Sequence, residues 1–201
     1  QGIGQLFPWN AFISATEYFG RRLCGTAYAD NFENCFSVGY NLSGLAGLAL
    51  AVRCQRLLRP RSRVLLPLAL TALAFLVCFM LVLAPAVGGD ALFLVTMVCI
   101  VASALAVAFL QSALFGLAGR FPPLYTQGMM AGQGIAGLVV ALSSLLTTMA
   151  GPDATCLPHD TVDGSTLAYF GIAFATLVLC AGAFIFLERL PVAIYYLGAA
   201  E

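Results

Sequence analysis

The sequence predicts an all-α integral membrane protein, a polytopic bundle of helices. Three observations carry this. The 201-residue chain is 61% hydrophobic and 9% charged, with a mean hydropathy of +0.96, whereas soluble domains average roughly 25% charged residues. Between positions 91 and 151 the single charged residue is Arg120. The apolar segments are long enough for helices, which need about 20 residues to span a bilayer, and too long for the roughly ten-residue strands of an outer-membrane barrel.

Six segments follow in order. The first covers 1–19 and the second 34–52, the latter bounded by Glu33 and Arg53. The third covers 64–87, the fourth 91–119, the fifth 125–150 and the sixth 165–187. Residues 1–190 thus form one transmembrane bundle, and 191–201 read as the start of a linker. The chain begins at Gln1 inside an apolar segment, so it reads as a piece of a longer protein. No signal-peptide pattern is visible in these residues, because the first basic residues come after the first apolar run.

All nine basic residues are arginine and are balanced by nine acids, which implies no nucleic-acid partner. Their placement sets the expected orientation. Arg53, Arg56, Arg59, Arg61 and Arg63 follow the second segment, Arg120 the fourth and Arg189 the sixth. The alternate loops hold Asp30, Glu33, Asp90, Asp153, Asp160 and Asp163, opposed by Arg21 and Arg22. The arginine-rich loop 53–63 is therefore expected in the cytoplasm, where it also meets lipid headgroups.

Four carboxamides fall inside the spans. By helical rise, Gln111 lies roughly 13 Å inside its end, Gln133 and Asn41 roughly 12 Å and Asn10 roughly 10 Å. No carboxylate, arginine or histidine shares that depth. Ion pumps and anion carriers usually show an intramembrane charge. Amides donate and accept without charge, so they suit a neutral polar solute. Trp9 beside Asn10 adds a ring face for stacking. The plainer alternative is that such amides bond across helices, for about 0.6–2 kcal/mol each.

Gly116, Gly119, Gly128, Gly132, Gly134 and Gly137 offer small surfaces for close helix approach. Residues 132–137 fit GxGxxG, but no strand precedes them and they lie in a span, so no dinucleotide site is read there. Asn41-Leu42-Ser43 fits a glycosylation sequon but lies in the membrane. The seven cysteines form no CxxC pair, and neither metal nor cofactor is expected. A disulfide among Cys24, Cys35 and Cys156, near the expected outer loops, is open.

Residues 2–12 read GIGQLFPWNAF, followed by Tyr18-Phe19. Residues 110–119 read LQSALFGLAG, followed by Pro122, Tyr125-Thr126 and MAGQGIAG at 130–137. In order, spacing and placement these motifs resemble the amino-terminal half of the equilibrative nucleoside transporter family. The resemblance covers essentially the whole chain. It implies an eleven-helix, major-facilitator-like transporter of which this chain is about six helices. Its halves would rock around a central site to carry purine and pyrimidine nucleosides, sometimes nucleobases. By position, Leu6, Trp9 and Ile13 of the first helix, Leu48 of the second and Gln111 of the fourth would line the cavity and bind substrate; Asn10, as an amide at similar depth, is expected to join them. Gly132 and Gly137 would be packing glycines of the fifth; Gly116, Gly134 and Gln133 are expected to serve helix packing with them from their own place in the spans. Ala131 stands where the family usually has serine. The family's charged substrate contacts lie in the carboxy-terminal half, which would be this chain's partner beside lipid and nucleoside.

Other readings are weaker. A sugar porter of the major-facilitator type often has aspartate four residues after a glycine before its arginine-rich loop; here Ala51 follows Gly47. An enzyme is not expected: no HExxH or GxSxG occurs, and the one histidine, His159, falls in an expected outer loop. A non-transporting membrane piece is the remaining alternative. Glu17, the one acid of the first segment, is a candidate for proton coupling, or simply marks the water boundary or pairs with Arg21 one turn on. The plasma membrane is favoured over an organelle.

Overall fold

The computed structural model describes residues 2–54, 59–84, 86–149 and 164–191. Among them are seven helices and no strand: α1 (Gly2–Ser14), α2 (Thr16–Arg22), α3 (Phe32–Cys54), α4 (Pro60–Leu83), α5 (Gly89–Ala118), α6 (Pro123–Met149) and α7 (Gly164–Glu188). Four of them, α3, α4, α5 and the Thr166–Glu188 part of α7, are long and apolar enough to cross a membrane. The protein is a polytopic membrane helix bundle. The stretch 151–163, with Cys156 and His159, lies outside the described residues, as do Arg56 and most of the expected linker.

Local chemistry explains the helix ends. Pro60 opens α4 after an extended Arg59 (φ −63°, ψ 145°), because proline has no N–H to orphan at a first turn. Glu33 and Asp90 sit in the first turns of α3 and α5, and Arg53 in the last turn of α3, each complementing the helix dipole. Inside α4, Thr71 is buried and donates to the Pro67 carbonyl at 2.9 Å, which satisfies its hydroxyl where no water reaches.

The first segment departs from the single helix expected over 1–19. It is interrupted at Ala15, although the bonds Ala15 N–H to Ala11 O and Phe19 N–H to Ala15 O continue across the break. Thr16 Oγ1 donates to the Ile13 carbonyl at 2.9 Å, offering the backbone a local alternative to a regular ladder. After α2 the chain turns at Gly25, whose φ of +81° favours glycine.

Helix neighbours run α3–α5–α4–α7, while α1 packs mainly on α6 and also touches α7 and α5. At the centre, Phe12 of α1 meets Phe75 of α4 at 5.0 Å and Phe170 of α7 at 6.2 Å, and Phe75 and Phe170 are 6.0 Å apart. All three rings are buried. Between apolar helices in lipid, such van der Waals packing is a main source of association. A second aromatic cluster ties the other end: Tyr28 stacks on Phe93 at 4.1 Å, and Phe36 on Phe93 at 5.7 Å. There Arg22, expected in an open loop, is buried and donates from Nη2 to the Val87 carbonyl at 3.2 Å. Burial of its long stem, with the carbonyl taking the guanidinium, pins the α2 end to the α4–α5 connection.

Candidate functional site

Leu6, Trp9 and Ile13 recur at helical spacing and share one face of α1. Leu6 is 38% and Ile13 42% exposed within the bundle. On α3, Leu48 is 45% exposed. Beside it, Gly47 is buried on α5: a Cβ there would lie 3.0 Å from the Ala108 Cβ. Gln111 is one turn beyond Ala108, and its side chain is exposed. The close α3–α5 crossing thus brings Leu48 and Gln111 to neighbouring levels of one seam. Four of the expected contact residues are left uncovered by the helices described, and none carries a charge.

Trp9 is half-buried, and one face of its indole is taken: it stacks on Tyr40 of α3 at 4.2 Å and 27°. Only its other face and edge remain for a solute. Tyr40 was missed in the sequence, where an aromatic in an apolar helix reads as lipid-facing. Asn10 points inward and is 9% exposed, and its Nδ2 is buried with no hydrogen-bond partner among the described residues. An unsatisfied buried donor of this kind costs about 1–3 kcal/mol.

The amides divide sharply. Gln133 Nε2 donates to Gln5 Oε1 across the α1–α6 seam, and Gln5 Nε2 reaches the Met129 sulfur at 3.7 Å. Gln5 is 2% exposed, and its partnership with Gln133 escaped sequence reasoning because it depends on which faces meet. Asn41 is exposed and bonds back to the Ser37 carbonyl of its own helix at 2.7 Å. Gln111 is the exposed amide on the α3–α5 seam.

The glycines divide as well. Gly132 lies against α1: an added Cβ would sit 3.3 Å from the Ile3 nitrogen and 3.4 Å from the Gly2 Cα. A Cβ on Gly2 would overlap the Met129 carbonyl, and one on Gly4 would lie 2.9 Å from the Cys180 sulfur. At Gly116, Gly134 and Gly137, by contrast, an added Cβ meets nothing within 4 Å. No described neighbour presses on these three: Gly134 and Gly137 lie on a side of α6 turned away from α1, and Gly116 lies on α5.

Glu17 is paired with Arg21 one turn on, and its side chain is 44% exposed. Cys24 is disulfide-bonded, while Cys35, Cys54, Cys78, Cys99 and Cys180 are not in disulfides. No cluster of His, Cys, Asp or Glu able to hold a metal occurs among the described residues.

Residues 95–200 match the family model described as nucleoside transporter. The chain belongs to the nucleoside transporter family. It is 32% identical over 195 residues to Equilibrative nucleotide transporter 1 of Arabidopsis thaliana, across 95% of this chain and 42% of that protein. It is 31% identical over 225 residues to Equilibrative nucleoside transporter 1 of Homo sapiens, across 97% of this chain and 47% of that protein. Equilibrative nucleoside transporter 2 of Homo sapiens is 32% identical over 214 residues, across 98% and 44%. The chain therefore spans less than half the length of these curated relatives. The nucleoside transporter match includes Gln111, Gly132 and Gln133, while the α1 and α3 residues lie before it.

Proposed function

We propose that this chain is the amino-terminal bundle of a protein that carries neutral purine and pyrimidine nucleosides, and nucleobases, across a membrane by alternating access. The observation that supports this best is that the bundle leaves Leu6 and Ile13 of α1, Leu48 of α3 and the uncharged amide of Gln111 on α5 exposed, and these residues make up the proposed substrate face. A second helical half, joined through the segment after α7, covers that face and closes the path. Alternating access then consists of rocking the two halves about it. Gln111 hydrogen-bonds the solute, Leu6, Ile13 and Leu48 contact its apolar surface, and Trp9 offers its free edge. Asn10, expected to contact the solute, has its Nδ2 buried inside the bundle and is not part of that face. One relative is named a nucleotide transporter, so a nucleotide is the competing solute.

The loop 53–63 faces the cytoplasm in this proposal, and the protein resides in the plasma membrane. The test is uptake of labelled adenosine, uridine and adenosine monophosphate by the full-length protein and its Gln111→Leu variant. Loss of one hydrogen bond to an uncharged partner predicts about two- to tenfold weaker nucleoside uptake at unchanged surface abundance. Wild-type affinity in the variant, or preferential uptake of the monophosphate, would refute the assignment.

A further inference from the structure

At the arginine-bearing end of the bundle, α4, α5 and α7 leave a cavity of about 180 Å³. Its polar lining is Arg61, Arg63, Ser112, Arg120 and Glu188. The volume is below the roughly 300–1,000 Å³ of sites for drug-sized ligands and suits a compact group. Glu188 is bound to Arg61, with Nε to Oε2 at 3.1 Å. Three guanidinium groups against one carboxylate leave the lining with a net charge of +2 at neutral pH.

Two further features shape the cavity. Gly116 lines it, and a Cβ at Gly116 would meet nothing within 4 Å. The missing side chain therefore keeps space open where a bulkier residue would fill it, which accounts for a glycine that packs against no described helix. The α4 N-terminus also ends here, and its N-cap Arg59 makes no side-chain capping bond. The first-turn amides of α4 accordingly add positive potential to that of the arginines.

The geometry points to a binding site for a phosphate group, held by Arg120, Arg63 and Arg61, with the Ser112 hydroxyl as an additional donor and Gly116 as the floor. Guanidinium forks match phosphate oxygens in shape as well as charge. Basic pockets between helices at a membrane surface bind phospholipid headgroups in this way. The same chemistry would accept a soluble phosphate, so the experiment separates the two sources.

The full-length protein is placed in phosphatidylcholine nanodiscs and titrated with a fluorescent short-chain phosphatidylinositol 4-phosphate, and separately with inorganic phosphate followed by thermal melting. The wild type is expected to bind the lipid probe saturably. Arg120→Gln, which removes an exposed cation, and Gly116→Leu, which fills the cavity without changing charge, are each expected to weaken it about tenfold or more. Arg53→Gln, at the same end but outside the cavity, should change it by less than about twofold. Inorganic phosphate that raises Tm and displaces the probe, with the same pattern among variants, identifies a soluble anion as a second occupant of the same site. Binding of neither probe, or equal losses in Arg53→Gln and Arg120→Gln, overturns the proposal, since the latter pattern is that of diffuse surface charge.

Discussion

Replacing Gln133 by leucine should cost more than replacing Gln5 and Gln133 together would suggest. Gln133 Nε2 donates to Gln5 Oε1, and Gln5 is 2% exposed. With Gln133 gone, the Gln5 carbonyl oxygen loses that donor in a place water does not reach. A buried acceptor left unsatisfied costs about 1–3 kcal/mol. Interhelical hydrogen bonds in membranes average nearer 0.6 kcal/mol, with a maximum of about 1.7, because helices separated in lipid also find partners. The expected loss is therefore about 1–2 kcal/mol for either single substitution. Converting both residues to leucine removes donor and acceptor together, so the double variant should fall short of the summed losses by about 0.6–1.7 kcal/mol. Equilibrium unfolding of the full-length protein and the three variants in detergent measures this coupling. Strict additivity of the two losses would show that the pair does not hold α1 to α6.

Gly132→Leu should lower the yield of folded protein, since even a Cβ sits 3.3 Å from the α1 backbone and overpacking costs about 1–3 kcal/mol; Gly134→Leu, which faces open space, should be tolerated in the same expression assay. A membrane-impermeant thiol reagent should label a cysteine placed at Asp90 on intact cells and one at Arg59 only after permeabilisation; the reverse pattern would invert the orientation read from the arginines. Because Glu17 is ion-paired with Arg21 and partly exposed, uptake against external pH should be the same for wild type and Glu17→Gln. Acid-stimulated uptake that the substitution flattens would instead give Glu17 a proton-coupling role.

The spans were legible in the sequence because lipid acts on each segment separately. A helix must satisfy its own backbone and present apolar side chains wherever it crosses, so the bare run on either side of Arg120 already implied α5 and α6. Charges and prolines marked the ends, as Pro60 and Asp90 do. The sequence also showed that the polar residues at depth are uncharged amides. It did not separate their roles, since Gln111 and Gln133 have the same side chain at similar depth in neighbouring helices. Gln133 is tied to Gln5 and Gln111 is left exposed only because α6 turns that face to α1, while α5 leaves Gln111 beside the α3 crossing. The same holds for the glycines: the GxGxxG run does not distinguish Gly132, pressed on α1, from Gly134 and Gly137 in open space, and Gly2, Gly4 and Gly47 lack any local mark of their close contacts. Composition along one chain segment determines whether it enters the membrane. Which face it turns to which neighbour is a property of pairs of helices, and only the tertiary structure decides it.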